Sequence, residues 1–475
     1  MSKHSPSHKF DLHRVSDHTE AKRLLSIIWN IHFKRSFGTG RRGPKPKSPA
    51  RQQFNVVMLN LYAAWKIDPK LPLAVEMGDA SFKPGSRYNA LHLSKLVPQL
   101  IRHLDEEGLI KRKRGSQWSG LTRITPTEEL INQFRQAGLN IEDIVVSPRR
   151  ESIILRRGKD DEDETARDID YKTEPRWITK ARQDLRKYNK LLEASHIGLP
   201  HLTEHFLLKK DGTRIFITSH HRFVRRVFSR GSWDYGGRYY GGWWQGISKE
   251  LRERIFINGN PTGEVDYKSI HPHLLYARTG STPNREDIYS IDLTWSNTSS
   301  QQLRAWVKQL VLVAINASSE KKAYAAFRYD QPTGTRGKRL KDKQLAELLN
   351  TFKQENKPIS KYLCSDQGIS LMAEDSRIAT YVINKMTKNN IPVLCVHDSF
   401  VIDIENIFFL KKVMMEAAAE VTGRDIPQDL YDDYLPTDDD GNKVKAVYLK
   451  SVQPQTTQYK LGLEYWKKTR AGQIS

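Results

Sequence analysis

Apolar side chains recur with a helical period in several parts of the chain. One such stripe consists of Phe54, Val57, Met58, Leu61, Tyr62 and Trp65. Residues three, four, seven and eight apart share one face of an α-helix, so this spacing predicts an amphipathic helix. A further helix is predicted in "LSKLVPQLIRHLDEEG", with Val97, Ile101 and Leu104 inward and Gly108 at its end.

The segment after this second helix changes to a strand pattern. "LIKRKRGSQWSGLTRIT" predicts strand, turn and strand, and another helix begins near Thr127. Four consecutive cations stand beside the turn: Lys111, Arg112, Lys113 and Arg114. Helix, basic hairpin and helix within 51–150 resemble a winged helix-turn-helix domain, in which the wing cations bind nucleic-acid phosphates. A structural α/β module with a solvated basic hairpin is the alternative.

Changes in composition predict the domain organisation. Residues 1–50 are basic and end in "GRRGPKPKSPA", which indicates a flexible, solvated N-terminal segment. Five consecutive acids, Asp160 to Glu164, mark an acidic linker over 156–175. Helices and short strands alternate over 176–475, so we expect an α+β domain there.

Net charge and cysteine content limit the functional class. Lys and Arg outnumber Asp and Glu by 77 to 55, and the formal charge of +22 favours a nucleic-acid partner over a basic enzyme without one. The two cysteines, Cys364 and Cys395, cannot build a disulfide framework or a Cys-rich zinc site. Without a signal-peptide-like start or a membrane-length apolar run, we expect a cytoplasmic protein with no membrane partner.

A charged break interrupts the apolar stretch "VLCVHDSFVID" at 393–403. The pattern predicts two strands joined at a hairpin tip that carries His397, Asp398 and Ser399. Taken alone, an aspartate at such a tip is ordinary turn chemistry.

A second aspartate changes this interpretation. "GEVDYKSIHPHLLYARTG" (263–280) predicts a strand that ends near Asp266, then a helix with Pro272 in its first turn and Gly280 after its end. Asp266 and Asp398, each at a strand end, can together hold a pair of Mg²⁺ ions, with Mn²⁺ as an alternative. Mg²⁺ needs few protein carboxylates because water and substrate phosphates complete its shell.

A third segment, "LRAWVKQLVLVAINAS" (303–318), predicts a continuous helix. Arg304, Lys308, Leu312 and Asn316 recur every four residues and form one slanted stripe. Two cations, an apolar side chain and an amide in that order can bind the triphosphate, base and sugar of a nucleotide. The alternative is a surface helix with two solvated cations.

These three segments resemble motifs A, B and C of family A DNA polymerases and of the related single-subunit phage and mitochondrial RNA polymerases. "DYKSIHPHLLYA" is similar to the DNA polymerase form of motif A, and "VHDSF" is similar to the RNA polymerase form of motif C. A fourth match, "WDYGGRYY", resembles the Asp-x-x-Gly-Arg-x-Tyr pattern of the RNA polymerases. The resemblance covers about 215–425 and implies a right-hand polymerase fold with a palm, compact fingers and thumb-like helices.

The resemblance also implies a role for each matching residue. Asp266 and Asp398 would bind the metals, and His397 would lie near the primer 3′ end. Arg304 and Lys308 would hold the triphosphate, with Lys308 as a proton donor to the leaving pyrophosphate. The remaining nucleotide-binding positions would be Tyr267, His271, Leu312 and Asn316. Nucleic-acid contacts would come from Asp234, Gly237, Arg238 and Tyr240. Trp243 and Trp244 are either core residues or base-stacking platforms.

The sequence departs from the family pattern at the positions that select the sugar. His271 stands where DNA polymerases have a glutamate, and Asn316-Ala317 replaces the usual Tyr-Gly of motif B. Asparagine has no ring to exclude a 2′-hydroxyl and can hydrogen-bond to it. We therefore expect relaxed sugar selection, which suits an enzyme that both makes and extends primers.

The sequence thus predicts a DNA polymerase or primase-polymerase that replicates a plasmid, phage or other mobile element. Its expected partners are a DNA template, a DNA or RNA primer and nucleoside triphosphates, and a small accessory replication protein or helicase is a further candidate. A compact single-subunit RNA polymerase is the first alternative. A non-catalytic replication initiator or regulator is the second.

Overall fold

The computed structural model of the protein describes residues 6–38, 48–78, 81–115, 121–158, 167–430 and 455–471, which form a mixed α+β fold. The α-helices are α1 (Thr19–Ile28), α2 (Lys34–Phe37), α3 (Ala50–Ile67), α4 (Leu96–Glu106), α5 (Glu128–Ala137), α6 (Arg176–Glu193), α7 (Lys249–Arg252), α8 (Ile270–Arg278), α9 (Ser300–Asn316), α10 (Glu320–Asp330), α11 (Asp342–Glu355), α12 (Lys357–Ser360), α13 (Gly368–Lys388), α14 (Ile407–Thr422) and α15 (Thr457–Arg470). The strands are β1 (His8–Lys9), β2 (Arg14–Val15), β3 (Leu73–Glu76), β4 (Ile110–Lys113), β5 (Leu121–Pro126), β6 (Val145–Val146), β7 (Ile153–Leu155), β8 (Ile197–Gly198), β9 (Phe206–Leu208), β10 (Arg214–Phe216), β11 (Arg225–Phe228), β12 (Gly236–Tyr240), β13 (Phe256–Ile257), β14 (Asn260–Tyr267), β15 (Val393–Val396), β16 (Ser399–Asp403) and β17 (Gln428–Leu430).

Two hydrophobic cores divide the described residues. One contains buried side chains from Ala21 to Ile144, and we call this part the N-terminal unit. The other contains buried side chains from Ile153 to Ile426, and we call it the C-terminal unit. Each core is large enough to stabilise its own unit through burial of apolar surface.

The N-terminal unit contains the predicted helices and hairpin. Its sheet has the order β1-β3-β5-β4, and β4 and β5 are antiparallel. Helix α4, both strands and α5 follow one another as the hydrophobic pattern predicts, and Val97, Ile101 and Leu104 are fully buried. That these elements form a winged helix stays a prediction.

The wing cations differ in their surroundings. Lys111, Lys113 and Arg114 are exposed, whereas Arg112 is half-buried and its Nε donates to Asp105 Oδ2 over 2.8 Å. Residues 116–120 at the hairpin turn lie outside the described residues. The exposed cations are available to a polyanion, while Arg112 already has an acidic partner.

The prediction of a flexible segment over 1–50 is wrong for residues 6–38. Helix α1 and the π-helical turn Trp29–Phe33 that follows it bury Ile28, Trp29 and Phe33 in the N-terminal core. Phe33 packs on Phe54 with ring centroids 4.6 Å apart. The basic residues of this helix lie on its outer face and its inner face is apolar. Basic composition alone therefore does not predict the helix. Residues 39–47, most of the Gly/Pro/Lys run, lie outside the described residues.

Strand pairing continues on both sides of the acidic run. Strand β7 pairs in parallel with β11 of the C-terminal unit, and Arg156 forms an isolated antiparallel bridge with Asp168. The acidic run itself, Asp160 to Glu164, lies outside the described residues. The ends of the predicted linker are therefore held in the fold rather than left free.

The C-terminal unit is built on a six-stranded sheet in which β14 is central. The order is β15-β16-β14-β13-β8, and β17 also pairs with β14. Helices α13 and α14 pack against this sheet and against each other. The predicted helix, hairpin and helix around 371–423 are confirmed, including the left-handed Gly423 that ends α14.

Polar contacts join the two units. Arg14 lies 3.0 Å from the ring of His220, and Arg214 Nε pairs with Asp68 at 2.8 Å. Helix α15 also contributes, because the Tyr465 hydroxyl donates to Asp143 over 3.0 Å. Within the described ranges, none of the helices is both long and apolar enough to cross a lipid bilayer.

Candidate active site

Asp266 and Asp398 lie at the same end of two adjacent strands. In the antiparallel register of β14 and β16, Asp266 is opposite Ser399, which directly follows Asp398. The backbone N–H of Tyr267 donates to the carbonyl of Asp398 over 3.4 Å, which ties the hairpin tip to β14. The sheet thus brings together the two aspartates singled out in the sequence.

The hairpin tip is a two-residue turn, His397-Asp398. His397 has φ +61°, a left-handed conformation that costs a non-glycine residue about 1 kcal/mol. Strands β15 and β16 are fully hydrogen-bonded up to this turn, from Val393↔Ile402 to Val396↔Ser399. The rigid ladder therefore fixes the position of Asp398.

The charge of Asp266 is poorly satisfied. Its Oδ1 atom is buried and has no hydrogen-bond partner among the described residues. Burial, the charge of Asp398 and then that of Glu264 raise the pKa of Asp266 to about 7. A bound cation would stabilise the ionised form that this environment disfavours.

The pair fits a divalent cation with few protein ligands. No group of three or more His, Cys, Asp or Glu side chains among the described residues is arranged as a complete metal cage. Two carboxylates with one unpartnered oxygen instead match an Mg²⁺ site that water and substrate phosphates complete. These residues therefore fit the ion that the sequence predicts.

Two further carboxylates lie near Asp266 but are already paired. Glu264 accepts two hydrogen bonds from Arg252, each 2.9 Å, and one from the Ser399 hydroxyl at 2.6 Å. Asp429 on β17 stands opposite Asp266 in register and pairs with Lys268 at 2.9 Å. The sequence pattern identified neither: Asp429 depends on strand pairing across the sheet, whereas Glu264 lies two residues before Asp266 on β14, where strand alternation puts it on the same face.

Helix α9 presents its predicted polar stripe on its outer face. Trp306, Val307 and Leu310 are buried on the other side, whereas Arg304 and Lys308 are exposed. Helix α9 is therefore amphipathic, with Arg304 and Lys308 on its exposed face, and the stripe is not part of the core.

Two residues that the motifs did not include lie beside Arg304 and Lys308. Arg304 forms a bidentate ion pair with Asp287, with Nη2 3.0 Å from Oδ1. Lys308 Nζ lies 6.0 Å from the ring centroid of Tyr289. Burial raises the pKa of Tyr289 to about 12, and the charges of both Arg304 and Asp398 act on its hydroxyl. Tyr289 therefore lies beside the cationic face of α9.

Arg238 and His271 share a buried carboxylate, Asp375. The carboxylate of Asp375 is 2.9 and 3.0 Å from Arg238 Nε and 3.0 Å from His271 Nε2. His271 Nε2 also lies 3.0 Å from Arg238 Nη2. Asp375 is 2% exposed, so this cluster is an internal support rather than an open binding surface.

The sequence contained a signal for Asp375. It lies on α13 four residues after Leu371, three before Ile378 and seven before Val382, in the middle of the predicted apolar stripe. A carboxylate on the buried face of a helix requires a cationic partner elsewhere in the fold. That requirement could have been stated from the sequence, although the partner could not have been named.

His397 and Tyr240 form an edge beside Asp398. Their ring centroids are 5.4 Å apart, and Tyr240 is 36% exposed. Burial and the nearby Arg238 charge lower the pKa of His397, so the imidazole is neutral at physiological pH. Tyr240 is the exposed member of this edge, and His397 is half-buried.

The assignment of Tyr267 to nucleotide binding is wrong. Its side chain is buried, and its hydroxyl donates to the carbonyl of Met414 over 2.6 Å. Successive residues in a strand point to opposite faces, so Tyr267 packs against α14 when Asp266 faces the site.

Leu312 and Asn316, which the sequence also predicts to bind the nucleotide, lie on α9. Leu312 is half-buried, and Asn316 is exposed with its Nδ2 donating to the carbonyl of Leu312 over 2.8 Å. Asn316 Oδ1 lies against Gly368, where an added Cβ would approach it to 1.7 Å. Asn316 is thus held at the α9–α13 junction.

The "WDYGGRYY" segment separates into surface and core positions. Asp234 is exposed and bonds with Ser232. Gly237 has φ +81°, and a Cβ there would lie 2.8 Å from Phe228, so both backbone and packing require glycine. Trp243 and Trp244 are buried, at 4% and 0% exposure, which makes them core residues and not stacking platforms.

Comparison with known proteins finds similarity among solved structures. No protein-family model and no curated protein matches the chain. The chain is similar to the POL domain of Pol1 from M. smegmatis, solved in complex with DNA primer-template and dNTP. The TM-score is 0.32 at 10% sequence identity, and the match covers 88% of this chain and 66% of that chain. At this TM-score the likeness assigns neither an activity nor a residue role.

Proposed function

We propose that the protein is a template-directed nucleotidyltransferase that extends a nucleic-acid 3′ end on a DNA template. The observation that carries the proposal is the Asp266–Asp398 pair, with a buried unpartnered oxygen on Asp266. Structural carboxylates are normally paired or hydrogen-bonded, so the unpartnered oxygen of Asp266 next to a second carboxylate favours a ligand-binding role.

Asp266 and Asp398 are the proposed ligands of Mg²⁺, with Mn²⁺ as an alternative. When bound, the metal supplies activation of the 3′-hydroxyl and stabilisation of phosphate charge. Arg304 and Lys308 bind the triphosphate in this proposal, and Lys308 donates the proton to the leaving pyrophosphate. Arg304 must exchange its ion pair with Asp287 for phosphate oxygens, so Asp287 holds the guanidinium in place before the nucleotide arrives.

Tyr240 and His397 form the proposed contact with the primer and template strands. Arg238 has its guanidinium committed to Asp375, so its proposed role is to support that edge rather than to grip a phosphate. The exposed cations Lys111, Lys113 and Arg114 are the proposed DNA contacts of the N-terminal unit.

Sugar selection is proposed to be relaxed. His271 is enclosed by Arg238 and Asp375, and Asn316 carries no ring, so neither wall of the usual steric gate is present at these positions. Such an enzyme suits a primase-polymerase in the replication of a plasmid, phage or mobile element. Side-by-side extension with dNTPs and rNTPs tests this, and a strict preference for dNTPs would contradict it.

Two alternatives remain distinct from this proposal. A compact RNA polymerase is favoured by the "HDSF" and Asp-x-x-Gly-Arg-x-Tyr forms and would start chains from rNTPs without a primer. A non-catalytic initiator would bind DNA and incorporate nothing. The unsatisfied charge of Asp266 argues against the second, because a scaffold gains no stability from it.

A primer-extension assay with Mg²⁺ separates these possibilities. The wild type should incorporate nucleotides, and Asp398→Ala should not. Glu347→Gln, an exposed change on α11, is the matched control and should behave as the wild type. Absence of wild-type incorporation on every primed and unprimed template would overturn the catalytic proposal.

A further inference from the structure

A second cavity lies where the two units meet. Its volume is about 770 Å³, within the range of ligand-binding pockets. Four parts of the chain line it: residues 142–152, helix α6, residues 219–223 and helix α15. Asn390 and Pro392 complete the wall just before β15.

This cavity is separate from the carboxylate pair. Pro392 stands at the start of β15, and Asp398 is at the tip beyond its other end. A strand rises about 3.3 Å per residue, so roughly 15–20 Å separate the two places. A ligand in the cavity would therefore not occupy the proposed nucleotide site.

The lining is positively charged. The cations that line it are Arg150, Arg186, Lys190, Arg222 and Arg470. Glu142 and Glu193 are its acids, and burial raises the pKa of both, which disfavours their charged forms. The cavity therefore favours an anion.

Several buried polar atoms in the lining have no hydrogen-bond partner among the described residues. They are Ser152 Oγ, His196 Nδ1, Ser219 Oγ and Arg222 Nε. Burial lowers the pKa of His196 to about 3, so its ring is neutral. Buried polar groups without partners are uncommon, and those that line a cavity are available to a ligand or to water.

Helices α6 and α15 supply free cations and an aromatic surface. Arg186 and Lys190 are exposed, one helical turn apart, and neither forms an ion pair within 4 Å in the part of the chain that the structure describes. Opposite them, Arg470 lies 5.4 Å from the ring of Trp466, whose Nε1 is fixed by the carbonyl of Ala194 at 2.7 Å. A fixed indole beside cations suits a base next to a phosphate.

We propose that this junction cavity binds the phosphate and base of a nucleotide carried by a single strand of nucleic acid. Arg186 and Lys190 form the cationic surface on the α6 side of this cavity. A strand that follows this surface would reach the cavity with its phosphates on the cations. Such a site would hold nucleic acid against both units at once.

The test is fluorescence anisotropy with labelled octathymidylate and the full chain, without Mg²⁺ or nucleotide. The double variant Arg186→Gln/Lys190→Gln should raise the Kd about tenfold, from two lost phosphate contacts and the stacking they position. Arg176→Gln/Lys187→Gln is the matched control, because it removes the same charge from the same helix outside the cavity. This control variant should change the Kd by less than about threefold, the change expected from the loss of non-specific charge alone.

Two measurements locate the ligand and its source. An octamer with 4-thiothymidine should photo-crosslink to α6 or α15 in the wild type and much less in the cavity variant. Displacement of the octamer by dTTP would assign the free nucleotide as a ligand of the same site, and absence of displacement would assign the strand. Equal weakening in both double variants, or crosslinks that avoid both helices, would overturn the proposal. None of these readouts depends on nucleotide incorporation.

Discussion

Arg238 and Asp375 form a buried ion pair across 137 residues of sequence, with Arg238 Nε 2.9 and 3.0 Å from the two carboxylate oxygens. One partner comes from β12 and the other from α13. The charges of Arg238 and Asp375 both act on the pKa of His397 at the hairpin tip, the first lowering it and the second raising it. Asp375 is therefore a positioning residue.

Asp375→Asn should destabilise the protein by about 3 kcal/mol, because it leaves the Arg238 charge buried and half-paired. Chemical denaturation measures this. The double variant Asp375→Asn/Arg238→Gln should lose less than the sum of the single changes, since both remove one interaction. Glu374→Gln, its half-exposed neighbour paired with Arg278, should cost less than about 1 kcal/mol. If the losses of stability in the two single variants simply add in the double variant, Asp375 and Arg238 do not act as a pair.

Asp266→Asn should abolish incorporation and also raise stability in metal-free buffer. The folded pKa of Asp266, about 7, exceeds its unfolded value, so the folded state binds the proton more tightly. Wild-type stability therefore falls as pH rises from about 4 to about 7, and above that range the charged form carries the full penalty. The variant should be more stable at pH 8 by about 1–3 kcal/mol, since one pH unit corresponds to about 1.4 kcal/mol.

Thermal melts at pH 5 and pH 8 check this prediction. The gain in melting temperature should be smaller at pH 5, where Asp266 is already protonated in the folded wild type. Added Mg²⁺ should stabilise the wild type more than the variant. A loss of stability in Asp266→Asn at pH 8 without metal would contradict the described electrostatics.

Changes to the two cations of α9 should affect different kinetic constants. Arg304→Gln should raise the KM for the nucleotide about tenfold, because it removes a phosphate contact. Lys308→Met should lower kcat about 10²-fold or more, the usual contribution of general acid catalysis. Steady-state incorporation on one primed template measures both. If Lys308→Met raises the KM as much as Arg304→Gln does and leaves kcat unchanged, Lys308 is a binding residue only.

The junction between the units should be sensitive to acid. Burial lowers the pKa of His221 to about 4 and that of His220 further, and His220 contacts Arg14 at 3.0 Å. Both rings are neutral when folded and gain protons when exposed, so stability is full above about pH 6.5 and falls as pH drops toward 4. Hydrogen exchange should show the contacts around Arg14 opening first in this window. His221→Gln should flatten the pH dependence, and an unchanged profile would contradict it.

Local pattern was sufficient for the hairpin and its flanking helices. Apolar strands around a polar turn, followed by a helix that ends at Gly423, predict the hairpin and α14. In the same manner, Asp266 lies between a predicted strand and a predicted helix. The stripe on α9 also follows from period alone. These features depend on neighbours in sequence, so the sequence was enough to place them.

Residues that depend on distant contacts were missed. Asp375, Tyr289 and Asp287 enter the candidate site from helices and loops whose packing no local period specifies. The prediction for Tyr267 is wrong for another reason. The motif match alone suggests a nucleotide contact, but strand alternation turns this side chain away from the face of Asp266. Composition did not predict helix α1, because residues 1–50 are basic overall although one face of α1 is apolar.

The contact between Tyr465 and Asp143 spans 322 residues. The core of the N-terminal unit consists of side chains between Ala21 and Ile144, whereas the contact between Tyr465 and Asp143 requires α15. At ~10 residues per second, a ribosome takes about half a minute to make the intervening chain. During vectorial synthesis the first unit can therefore fold early, and its contact with α15 forms only after that helix has left the exit tunnel.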